Sequence, residues 1–150
     1  MKSFLLFLAV LCLVLGITTL SEARMTKEQG GTTVRAAAIL TSSYVPATVV
    51  AMSNWTDACV YVQFTLGSLT SMSVKFEGSN DNATWYPEIA GSLSAGVYTD
   101  AFAVHSVFAS GNYPWVMKDC LHNFLRISVI GNGTATSSSC TIIVNRVSRF

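Results

Sequence analysis

The sequence predicts an all-β protein, a single Ig-like or jelly-roll-type antiparallel β-sandwich with an extended N-terminal strand. Three observations carry that expectation. Apolar residues recur at every second position in short runs, the period of half-buried strands. The runs are separated by Gly, Asn and Ser clusters that suit turns. No segment after Leu40 shows helical periodicity, and the chain holds 18 Ser and 15 Thr, residues that favour turns and strands.

The first 23 residues read as a secretory signal peptide. Met1 and Lys2 give a positive start, Phe4 to Ile17 an uninterrupted apolar run, and Ser21-Glu22-Ala23 a small-residue exit. The apolar run is shorter than the ~20 residues of a spanning helix, so no permanent membrane anchor is expected. Residues 24–45 form the expected N-terminal arm and 46–150 the sandwich domain. Met25 to Gly31 is polar, ends in Gly-Gly and reads as a mobile leader. In Thr32 to Leu40, alternation puts Val34, Ala36, Ala38 and Leu40 on one face and Arg35, Ala37 and Ile39 on the other. The alanine run permits a helix, but no partner helix follows, so a strand is expected.

The rhythm then repeats. Thr48 to Met52 is a short apolar run. In Cys59 to Leu66, Val60, Val62, Phe64 and Leu66 face one side. Met72, Val74 and Phe76 point inward from Met72 to Glu77. Gly78 to Asn82 is a loop, and Pro87 marks Thr84 to Ile89 as an edge or strand end. Val97 to Val104 and Asn112 to Met117 follow. Leu125, Ile127 and Val129 alternate with Arg126 and Ser128. Gly131-Asn132-Gly133 reads as a hairpin turn, and Cys140 to Val147 closes the set.

The chain is 51% hydrophobic, 11% charged and has a net charge of +1. Ordinary domains carry roughly 25% charged residues. A chain so weakly charged lacks the basic stripe of a nucleic-acid binder. Part of the hydrophobicity belongs to the leader; the low charge does not. A Ser/Thr-rich surface with few repelling charges suits a protein packed against copies of itself.

Candidate chemistry is sparse. The carboxylates are scattered, and no nucleophile elbow or phosphate loop occurs, so no catalytic residue is assigned and the protein is not expected to be an enzyme. Asp119, Cys120 and His122 are neighbours, but zinc ligands come as separated pairs and only His105 lies elsewhere. No metal and no cofactor is expected. After the leader three cysteines remain. Parity favours a Cys59–Cys120 disulfide with Cys140 as a buried thiol; three reduced cysteines are the alternative. Sequons at Asn54, Asn82 and Asn132 are candidate glycosylation sites. Trp55, Trp85, Tyr86, Tyr113 and Trp115 lie near turns, where aromatic residues serve as a contact surface, for glycans or subunits, or as ordinary packing. The arm is the most informative segment. Its small side chains suit insertion as a strand into a neighbouring sheet, although it serves equally as the first strand of its own sandwich.

Signal peptide, N-terminal strand and Ser/Thr-rich sandwich together resemble the subunits of secreted pilus-like fibrils assembled by donor-strand exchange. The resemblance implies a structural subunit, secreted to a cell-surface fibril, whose partners are copies of itself. Gly67-Ser68-Leu69-Thr70-Ser71, Val74-Lys75-Phe76, Ser79-Asn80-Asp81, Trp85-Tyr86, Arg126-Ile127-Ser128-Val129 and Gly131-Asn132-Gly133-Thr134 are similar to small β-sandwich domains of phage virion proteins. That likeness implies a virion surface or decoration protein instead. A secreted carbohydrate-binding module is the third expectation.

Overall fold

The computed structural model describes residues 25–27, 30–94, 97–134 and 137–149, with the backbone alone described at 25–27, 89–94, 97–102 and 149. The expected leader lies outside these residues. The described chain is a sandwich of antiparallel sheets without a helix.

In the first sheet, β13 (Ser139–Arg149) pairs on one flank with β5 (Asp57–Thr65), which pairs in turn with β11 (Gly111–Met117). The other flank of β13 is taken by β1 (Met25–Lys27) and β2 (Thr32–Ala38) in succession. In the second sheet, β6 (Leu69–Ser79) and β12 (Phe124–Gly133) are central. β7 (Tyr86–Pro87) and β10 (His105–Val107) share the free flank of β6; β3 (Val45–Pro46) and β4 (Val50–Ala51) share that of β12. β8 (Ile89–Ser94) and β9 (Val97–Phe102) form a separate hairpin.

Period-two alternation builds the core. Val60, Val62 and Phe64 from β5 and Ile142 and Val144 from β13 meet Met72, Val74 and Phe76 from β6 and Ile127 and Val129 from β12. Burying each such side chain stabilises the fold by about 1.5–3 kcal/mol. The β5–β6 turn needs glycine at position 67. Its φ is +56°, and a Cβ there would lie 2.5 Å from the Ser137 carbonyl carbon, a backbone atom that a side chain cannot push aside.

Two local expectations are corrected. Met25 to Lys27 is not a loose leader but a strand, because the end of β13 offers it an unpaired ladder. Gly131-Asn132-Gly133 is not the hairpin turn: β12 runs through it, with Asn132 opposite Ser71, and an irregularity follows before Gly133. The side chain of Asn132 holds it in the sheet by donating to the Ser71 and Ser73 hydroxyls at 2.9 and 3.0 Å.

Candidate subunit interface

The arm forms one whole edge of the first sheet yet sends little into the core. Val34 and Leu40 are buried; Ala36 and Ala38 are exposed. Alternation fails here because the register of β2 on β13 shifts twice, around Ile142, and each shift turns the following side chains. The expected four-residue inward face is therefore two anchors separated by exposed alanines. The Val34 carbonyl accepts from the Thr48 amide at 2.9 Å. Leu40 lies past the end of β2, under Gly131, where a Cβ on that glycine would stand 3.0 Å from the Leu40 Cβ. The Gly131 amide donates to the Thr41 carbonyl at 2.9 Å, fixing the point where the chain passes to the second sheet.

The sheet edges differ in what they offer an incoming strand. The chain's three prolines, Pro46, Pro87 and Pro114, all lie in edge strands, β3, β7 and β11. Proline has no N–H to donate and is tolerated in a sheet where its nitrogen faces away from the partner strand. Each ring thus obstructs an otherwise open edge. The edge occupied by the arm has none.

Among the described residues, Cys59, Cys120 and Cys140 are free thiols, so the expected Cys59–Cys120 disulfide is not formed. Cys59 faces outward from β5, half-buried beside Tyr61, whereas Cys120 packs from the β11–β12 loop against the core. Shared outward parity failed for Cys120 because the strand ends at Met117 and the loop redirects it; its amide donates to the Thr56 carbonyl at 2.6 Å. Burial, then the charge of Asp57, pushes the Cys120 thiol up. Cys140 is fully buried, and burial pushes it up to about 11 against the opposing pull of Arg35. Hydrogen bonding to Cys59 holds the Tyr61 hydroxyl above its ordinary value.

Asn54 and Asn82 lie exposed in turns; the Asn132 amide nitrogen is engaged as described above. The five aromatics do not share one surface. Trp115 and Tyr113 stack on each other, and Trp115 also meets Phe76 edge-on. Trp55 lies under Arg146, Trp85 under Arg126, and Tyr86 stacks on His122.

Charged groups concentrate on the second sheet's outer face. Glu77 accepts from Arg126 Nε at 3.0 Å, Lys75 Nζ at 3.2 Å and the Ser128 hydroxyl at 3.2 Å. Burial alone would push its carboxyl up; these bonds and the two positive charges bring it below its usual value. Lys75 also lies over Tyr44. Alternation placed Lys75, Glu77 and Arg126 outward without showing that they cluster, since pairing of β6 with β12 alone puts Arg126 opposite Glu77.

An open cleft of about 480 Å³ lies beside β7 and the β11–β12 loop, lined by Met52, Phe76, Glu88, Cys120, His122 and Leu125 among others. Among the described residues no three ligating side chains converge on a metal position. His105 meets Glu88 at 3.2 Å.

No protein-family model and no curated protein matches the chain. Its fold is similar to those of several solved structures. One is the SPBc2 prophage-derived protein YomS, 17% identical, with a TM-score of 0.54 over 87% of this chain and all of that one. Another is a chain from Bacillus endospore appendages, described as disulfide-linked pili, 8% identical, with a TM-score of 0.52 over 85% of this chain and 91% of that one. At these identities the likeness is one of fold: the chain is an antiparallel β-sandwich of the architecture that a prophage-derived protein and a pilus protein share.

Proposed function

We propose that the chain is a non-enzymatic structural subunit of an extracellular, pilus-like fibril, with residues 46–150 as the body and 24–45 as the connecting arm. In this reading the arm of one subunit replaces that of the next along β13. One observation carries it: the arm is a complete sheet edge, held by main-chain pairing and the two side chains Val34 and Leu40, and unlike the edge strands β3, β7 and β11 it holds no proline. Main-chain hydrogen bonds do not depend on which copy supplies the strand, so intramolecular and exchanged pairing differ little in enthalpy. The fold likeness to an endospore-appendage pilus chain supports the reading. That protein's pili are disulfide-linked; here the arm from Thr32 to Leu40 holds no cysteine, so any link between copies would join bodies.

The test uses the secreted chain. Deletion of Thr32–Leu40 should abolish filaments in negative stain, and a synthetic peptide of residues 25–40 should arrest growth of the intact chain. The same peptide with Val34→Asp should not, since a carboxylate buried without a partner weakens docking. Filaments that grow unchanged in the presence of the peptide overturn the exchange.

The fold likeness to YomS favours a second reading, a virion surface protein. Co-sedimentation with phage particles, with no filament formed by the isolated chain, would establish it instead.

A further inference from the structure

The two outer faces of the sandwich differ in charge. The second sheet's face carries Lys75, Glu77 and Arg126. On the first sheet, cross-strand pairing sets Val116, Cys59 and Asn145 in one row, Pro114, Tyr61 and Ile143 in the next, and Asn112, Gln63 and Thr141 beyond. None of these is a carboxylate, amine or guanidinium. Val116 is 65% exposed and Tyr61 38%. Over these three rows the face is uncharged, Asp57 in the next row being buried, and with two exposed apolar side chains it lacks the usual means of discouraging association.

We propose that this face is a second contact between copies of the chain, lying face to face, and that it joins subunits laterally. Three arguments select a second copy as the occupant. An uncharged face matches itself, whereas the other face, where two cations flank the one carboxylate of Glu77, would bury excess positive charge against it. Amide and hydroxyl groups such as those of Gln63, Asn112 and Thr141 donate and accept, so a twofold contact satisfies them reciprocally. The size fits an auxiliary contact: three strands over three rows cover roughly 300 Å² per copy. That is well below the ~800 Å² per partner of a stand-alone interface. Such a contact holds once another link keeps copies together at millimolar effective concentration. In this respect it rests on the fibril reading: the arm propagates one strand of the fibril, and the face pairs two strands side by side.

Cys59 lies inside the face and reports on it. In a contact centred on Tyr61 the two Cys59 residues lie about 13 Å apart along the strands, within reach of bismaleimidohexane, which adds across both thiols without redox chemistry. Assembled full-length chain treated with this reagent should yield Cys59–Cys59 cross-linked peptides by mass spectrometry. Val116→Lys should reduce their yield at least tenfold and narrow the filaments in negative stain. Leu121→Lys, at an exposed apolar residue elsewhere, should change neither. Filaments without the cross-link, or a cross-link indifferent to Val116→Lys, overturn the lateral contact and leave the arm reading intact. A Val116-sensitive cross-link in protein whose growth ignores the arm peptide sustains the contact and overturns the arm.

Discussion

Asp81 takes hydrogen bonds from the amides of Ala83 and Thr84 at 2.9 and 2.8 Å, and from the hydroxyls of Ser79 and Thr84 at 2.9 and 3.0 Å. The amide bonds, followed by the hydroxyls, hold its carboxyl well below the usual carboxylate range. Since the folded value is depressed, the stabilisation is complete above the unfolded value near 4 and is lost as pH falls through the folded one. Asp81→Asn should therefore lower the thermal midpoint at neutral pH and by progressively less in acid. Melting curves of both proteins at pH 7 and pH 2 check the sign; an equal difference at both pH values would refute it. The loop it organises leads into Trp85, whose ring centroid lies 4.2 Å from the Arg126 guanidinium carbon. Composition read Gly78-Ser79-Asn80-Asp81-Asn82 as a loop; only Asn80 to Asn82 is one, because Gly78 and Ser79 still pair with Leu125 and Phe124 of β12. That Asp81 organises it was not legible, because an aspartate in a turn looks the same whether its carboxylate is bonded or solvated.

Among elements, the edges carry the sharpest consequence. β5, β6 and β12 were legible from alternation, because both sheets bury one face and a one-residue slip would expose every core side chain. The arm was legible only in part. Val34 and Leu40 lie inside as alternation implies, but Ala36 and Ala38 do not, and no pattern in the arm itself announces the shifts beside Ile142. Pro87 was readable as an edge marker; that Pro46 and Pro114 also fall on edges became clear only with the strand order. Pro114→Thr should restore an N–H to the open side of β11 at little cost to the monomer. We expect irregular lateral aggregation, seen as thioflavin fluorescence above that of the wild type at equal concentration and as clumped material in negative stain. Unchanged fluorescence and discrete filaments would show that Pro114 does not guard the edge.

For the whole molecule, the low charge governs association. With 9 basic and 8 acidic residues in 150, and Glu77 offsetting one of the two charges of Lys75 and Arg126, little long-range field remains. Association driven by strand pairing and apolar contact should respond weakly to screening. Filament growth followed by turbidity should change less than roughly threefold between about 0.05 and 0.5 M salt. A steep salt dependence would indicate a charged contact that neither the arm nor the uncharged face supplies.

The proline-closed edges also bear on the shape of anything this chain builds. A subunit with one strand to give and one edge able to receive has a valence of two along the fibril axis. Such units form chains with two ends and no forks, and every added copy leaves one fresh acceptor and no more. Growth then adds length in proportion to the supply of subunits, and the number of filaments is set by how many begin.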